Sequence, residues 1–229
     1  MSVILNIDTA TEIANVSIAK NGIVLESISN ENQKDHAAFL QPAIHLLLSK
    51  NKISIHELVA IAVVNGPGSY TGLRVAMASA KGLSYALSKP LITVNTLELM
   101  AASAIALGDK NPIGAIFCPM IDARRMEVFT ALYNANLQLQ LDPCAMVINE
   151  SSFAEQLSQQ PIIFFGNGSE KLKPVIKHAD ALFMSISADV TVLSEKTYGL
   201  YQQEKFTDLA YSEPFYIKAF YSTQKGQQY

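Results

Sequence analysis

The sequence predicts an α/β protein of two lobes, each laid out in the order βββαβα and one a duplicate of the other. Two landmarks carry this reading. Each half closes its first strand on an aspartate, Asp8 in IDTA and Asp122 in IDAR, and each follows its fourth strand with Gly-x-Gly-Ser, at 66–69 and at 166–169. The landmarks recur after about 100 to 115 positions, too long a period for a solenoid and suited to a duplicated domain.

The elements follow in order. Val3 to Ile7 is a short apolar run ending at Asp8, and residues 13–19 alternate, with Ala14, Val16 and Ile18 on one face. Asn21-Gly22 then predicts a two-residue hairpin, because both residues tolerate positive φ, and residues 23–29 form the returning strand. A helix is expected over 36–50, with Asp35 as its N-cap and Pro42 as a kink. Residues 59–64 (VAIAVV) read as a fully buried strand. The glycine turn launches a helix over 72–88, followed by a strand at 91–94 and a helix from Thr96 to about Leu107. After the polar break GDKNP the plan restarts. Strands are expected at 113–121 and 126–133, then a turn at NAN and a third strand. A helix near 151–159, a buried strand at 161–165 and a helix after Ser169 complete the half.

This order is the actin-like (ASKHA, ribonuclease H-like) plan shared by actin, sugar kinases and Hsp70-type ATPases. The expected lobes are 1–105 and 106–229, and the fold implies that a helix near 188–204 joins the first lobe.

Composition bounds the function. The chain has 229 residues, 49% hydrophobic and 16% charged, with a formal net charge of −3. A sizeable core is available, and a standalone nucleic-acid binder is disfavoured because phosphates demand surplus Lys and Arg. Cys118 and Cys144 sit in apolar company without metal-site spacing and are expected as buried free thiols. No apolar run approaches a membrane span, no secretory leader is expected, and a cytoplasmic location follows.

The stretch VNGPGSYTGLR raises the question of a phosphate cradle. Such a cradle points free N–H groups at the anion, but Pro67 has none and no P-loop lysine follows. A tight turn that launches a helix explains Gly66, Pro67, Gly68, Ser69, Tyr70, Thr71, Gly72 and Arg74 better. The helix it launches carries a stripe of small residues, Val75, Ser79, Gly82 and Ala86, over which another helix can approach closely. On the helix at 36–50, apolar residues including Phe39, Leu40, Ala43 and Leu47 cover about 200°, twice the ordinary stripe. The excess predicts a partner interface made by these two helices.

Taken together, NGPGSYTGLRVAMASAKGLSYAL, ILNIDTA, the helix start at His36, IDARRMEVF and EPFYIK resemble the TsaB (YeaZ) family over residues 3–221. The family supplies bacterial accessory subunits of the tRNA threonylcarbamoyladenosine machinery. The resemblance implies a non-catalytic scaffold and activator of a TsaD-like catalytic paralogue, with a TsaE-like ATPase joining near their junction. It implies a homodimer when the chain is alone, contact with tRNA only through the complex, and no cofactor. The helices at 36–50 and 72–88 would form the interface. Catalytic relatives hold a metal with His-x-x-x-His; here Leu40 stands where a second histidine would follow His36, so no metal site is expected.

The alternative is an ATP-dependent kinase or ATPase of the same fold. The turn Asp8-Thr9-Ala10-Thr11 lacks the glycine such enzymes place against phosphate, which argues against it. Asp122, Arg124, Arg125 and Glu127 are expected to form a structural ion pair on alternating strand faces, not an acid–base site. Gly-x-Gly-Ser is not a nucleophile elbow. Tyr211, Tyr216 and Tyr221 are expected to pack a tail onto its domain. Lys218 stands where many relatives carry Arg.

Overall fold

The computed structural model describes residues 2–32, 36–108 and 111–218. In the first lobe, β1 (Val3–Asp8), β2 (Ala14–Lys20) and β3 (Ile23–Asn30) precede helix α1 (His36–Lys50). Then come β4 (Leu58–Gly66), α2 (Tyr70–Leu87), β5 (Leu91–Asn95) and α3 (Thr96–Ile105). The second lobe runs β6 (Ile116–Asp122), β7 (Glu127–Tyr133), β8 (Leu139–Val147), α4 (Ala154–Leu157), β9 (Ile162–Phe165), α5 (Ser169–Leu172) and β10 (Ala181–Phe183). Helix α6 (Val190–Gln202) follows.

Duplication is visible in the topology. The strand orders are β3-β2-β1-β4-β5 and β8-β7-β6-β9-β10, which coincide position for position. In each sheet the first strand runs antiparallel to the second and parallel to the fourth. The helices are unequal: α1 and α2 have 15 and 18 residues, whereas α4 and α5 have four each. The helix expected at 151–159 therefore shrinks to Ala154–Leu157, with Phe153 ahead of it at φ +62°. Asn21 and Gly22 adopt φ of 52° and 84°, the left-handed pair that a two-residue hairpin needs. The Asp35 cap and Tyr221 fall outside the described residues.

The first sheet is covered on both faces. On one, Leu5, Ile7, Val16, Ile18, Ile61 and Val63 pack against α1 and α2. On the other, Ile4, Ala60, Ala62 and Ile92 meet Tyr198, Leu200 and Tyr201 of α6. Helix α6 also packs against β1, β2, β3 and β5, while α3 lies against β6 and β7 of the second sheet. Asn6, 1% exposed, is the polar anchor under α6: its Oδ1 accepts from Thr197 Oγ1 at 2.8 Å and its Nδ2 donates to Ser194 Oγ at 3.2 Å.

Two elements differ from expectation. Arg124 and Arg125 are not on a strand; they occupy the β6–β7 turn at φ of 70° and 51°. Their expected pairing with Asp122 or Glu127 is replaced by Lys171–Asp122 at 2.6 Å and Lys218–Glu127 at 2.5 Å. Cys118 is fully buried, but Cys144 is only half-buried, because it lies on the edge strand β8; both are free thiols.

Candidate functional site

The site is built where the glycine turn meets the end of β1. The Gly66–Pro67 peptide is cis, and Gly66 has φ +117°. Ser69 N–H donates to Ala10 O at 2.7 Å, and Thr9 Oγ1 donates to Gly72 O at 2.7 Å. Glycine is required by this approach: a Cβ on Gly68 would fall inside contact distance of Ala10 O, and one on Gly72 would do the same to Thr9 O. Ser69 then caps α2 by accepting from Gly72 N at 3.3 Å, while Leu73 N–H donates to Ser69 O. The N–H groups of Ala10, Ser69, Gly72 and Leu73 are thus all used within the protein.

The second half repeats the brace. Gly166 has φ +87° and packs on Met120 O, and Gly168 N–H donates to that same oxygen at 3.1 Å. Asn167 Oδ1 accepts from Asp122 N, and its Nδ2 reaches Glu12 Oε1 at 3.2 Å, joining the lobes across the cleft. Both Gly-x-Gly-Ser turns therefore lock onto the end of their own lobe's first strand, the first on Thr9 and Ala10 just past β1 and the second on Met120 and Asp122 within β6.

Helix α2 buries Gly72, Leu73, Ala76, Met77, Ala80 and Ser84. Val75 and Ser79 are half-buried, and Gly82 and Ala86 are exposed. A Cβ added at Gly82 would meet no atom within 4 Å. Beside this stripe stands Tyr85, 81% exposed. Helix α1 contributes less than its apolar width predicts. Leu40, Ala43 and Leu47 lie in the lobe's own core, because β2 and β3 as well as α2 wrap that helix. Of the expected α1 residues only Phe39 is partly exposed; Leu46, 46% exposed, joins it on the outer side. Gln41 Nε2 donates to Ser79 Oγ at 3.1 Å and ties the two helices together.

Sequence reasoning expected a packed tail but not the path of the strap it forms. Residues 207–218 cross the lobe from β5 to the second sheet. Thr207 N–H donates to Leu91 O, and Lys81 Nζ donates to the carbonyls of Ala210 and Ser212. Phe215 N–H donates to Asn65 O at 2.7 Å. Arg74 stacks on the Tyr70 ring at 4.0 Å and donates through Nε to Tyr216 OH at 3.0 Å. Lys218 ends the strap on Glu127. Of the tail tyrosines, Tyr216 packs as expected and Tyr211 is 87% exposed. The run mixes apolar and polar residues without a period and offered no pattern from which its path could be read.

Charge behaves differently at the two matching aspartates. Burial pushes the Asp8 carboxyl up to about 6, partly offset by the Ala10 N–H it accepts. Burial also raises Asp122, but the Lys171 ammonium and the Arg124 N–H outweigh it and hold that carboxyl below its ordinary value. His36, buried at the start of α1, places its Nε2 3.2 Å from Glu12 O. Among the described residues no group of three His, Cys, Asp or Glu is arranged to hold a metal ion. No described helix is long and apolar enough to cross a membrane.

Fold and site together define a two-lobed actin-like α/β protein in which the glycine turn braces a helix. The family model described as TsaD, tRNA N6-adenosine threonylcarbamoyltransferase, matches residues 22–217. A Bacillus subtilis protein named tRNA threonylcarbamoyladenosine biosynthesis protein TsaB is 30% identical over 178 residues, covering 76% of this chain and 75% of the relative. YeaZ from Pseudomonas aeruginosa has the same fold, with a TM-score of 0.74 at 24% identity over 94% of this chain and 100% of that one. A polyphosphate/ATP-glucomannokinase from Arthrobacter sp. strain KM shares the fold more distantly, with a TM-score of 0.50 at 11% identity over 88% of this chain and 100% of that one. The chain belongs to the TsaD-type family and, within it, to the TsaB (YeaZ) proteins.

Proposed function

We propose that this chain is the non-catalytic scaffold and activator subunit of the complex that makes tRNA N6-threonylcarbamoyladenosine. It holds a TsaD-like catalytic paralogue on the outer face of α1 and α2, with a TsaE-like ATPase at their junction. It self-associates through the same face when alone. It works in the cytoplasm and meets tRNA only through the complex, in keeping with a net charge of −3.

The carrying observation is how the glycine turn uses its groups. In a phosphate cradle the N–H groups face outward. Here those of Ala10, Ser69, Gly72 and Leu73 are bonded inward, and the turn instead fixes the start of α2. This supports a scaffold over an ATP-dependent kinase or ATPase. What α2 then presents is Val75, Ser79, Gly82, Ala86 and Tyr85, small residues beside one exposed aromatic. Close helix approach over small residues, with an aromatic anchor at the side, suits a specific protein contact.

Gly82→Phe tests this reading. Gly82 is exposed and a Cβ there meets no atom within 4 Å, so the melting temperature should stay within a few degrees of the wild type. Association with the catalytic paralogue, followed by light scattering on a sizing column, should be lost. Undiminished association would overturn the assignment of this face.

A further inference from the structure

A groove of about 290 Å³ lies between the first sheet and the segment leading into α6. Its polar wall follows from strand register. Asp8 pairs with Asn15, and Asn15 pairs with Ser29, so the three side chains stand in one row on one face of β1, β2 and β3. Asp189, the N-cap of α6, closes the other side, where its Oδ1 accepts from Thr191 N and Val192 N. Leu99, Val190 and Leu193 supply apolar lining, and the groove opens past the exposed Ser27 and Ser29.

The groove carries two carboxylates, Asp8 and Asp189, among hydroxyls that can donate or accept. Asp8 is 6% exposed, accepts one N–H from Ala10, and has no salt bridge among the described residues. Asn15 uses Nδ2 on Ser29 Oγ at 2.8 Å, which leaves its Oδ1 buried without a donor among the described residues. Among the described residues no Lys, Arg or His lines the groove. An anion is repelled by such walls. Water can donate to Asn15 Oδ1 but does not neutralise the Asp8 carboxylate. A primary ammonium does both, since it carries a positive charge and three donors.

We propose that this groove binds a small primary aliphatic ammonium ion, which donates to the Asp8 carboxylate and to Asn15 Oδ1 and rests its alkyl chain on Leu99, Val190 and Leu193. The site is independent of the partner face on α1 and α2. Burial alone lifts the Asp8 carboxyl to about 6, the direction expected of an acceptor built to be neutralised by a cation.

The test uses the full chain with carboxyl-¹³C aspartate, titrated with propylammonium chloride at constant ionic strength. The expected result is a saturable shift of the Asp8 carboxyl resonance and of the Asn15 side-chain amide. Tetramethylammonium, with the same charge and no N–H donor, should give neither. Asp8→Asn keeps the acceptor for Ala10 N–H and should weaken propylammonium binding about tenfold or more, as expected when a charged partner is made neutral. Asn15→Leu provides a second comparison read through the Asp8 resonance, and it carries the test if Asp8→Asn does not fold. Absence of a saturable shift in the wild type, or an equal response to tetramethylammonium or sodium, would overturn the proposal.

Discussion

Replacing Gly68 by alanine adds one methyl group at the tightest point of the fold. That carbon would fall inside contact distance of Ala10 O and close to Ala10 C, so the obstacle is backbone on both sides and no side-chain rotation relieves it. The turn and the end of β1 must separate. Overpacking of this kind costs about 1–3 kcal/mol. Separation also stretches the 2.7 Å bond from Ser69 N–H to Ala10 O, worth about 1 kcal/mol. It disturbs the Ser69 cap of α2 as well, worth about 1 kcal/mol. These contributions overlap, and the net loss is about 3 kcal/mol, or about 6–12 °C in a domain of this size. Differential scanning calorimetry measures the loss. Gly82→Ala is the control: it sits in an open helix position and should gain about 0.5–1 kcal/mol from helix propensity. A Gly68→Ala protein that melts within a degree of the wild type would refute the claim that this glycine exists for the backbone contact.

Asp8 should leave a signature in the pH dependence of stability. Its carboxyl rises from 3.8 to about 6 on folding, so between those values the folded state holds a proton that the unfolded state has lost. Stability from this site therefore falls as pH rises through the window, by up to roughly 3 kcal/mol. Asp8→Asn should remove that fall and exceed the wild type above pH 6.5; urea melts between pH 4 and 7.5 that run parallel for the two proteins would disprove it. Asn6→Leu should cost about 1–3 kcal/mol, because Thr197 and Ser194 would lose their buried partner. Amide exchange should then accelerate first in α6, and an unchanged exchange pattern there would count against Asn6 as its anchor.

Local chemistry made much of this legible in the sequence. The bounds of α1 match expectation because Pro42 is tolerated within a strongly apolar helix, and the hairpin follows from Asn21-Gly22 alone. The matching aspartates and glycine turns revealed the duplication before any strand order was known. Burial partners were not legible. A 200° apolar arc looks the same whether it meets one sheet and a partner or a sheet that curls round it, and here Leu40, Ala43 and Leu47 face the curl. The row Asp8, Asn15 and Ser29 depends on pairing between three strands, which no single segment encodes. The path of the strap was not legible, because its Leu209, Tyr216 and Ile217 each meet a different core cluster and its polar contacts run through backbone carbonyls and scattered side chains, which leaves no periodic trace.

The position of α6 bears on how the protein is made. Its residues 190–202 cover the reverse face of a sheet whose last strand, β5, ends at Asn95. Ribosomes deliver about 5–20 residues per second, so Ile4, Ala60, Ala62 and Ile92 wait about 5–20 seconds for their covering helix. During that interval the second lobe emerges whole and can close, while the first, synthesised earlier, still shows an apolar sheet to the cell. The half that begins first is completed last, and chaperone contact during translation should concentrate on that uncovered face.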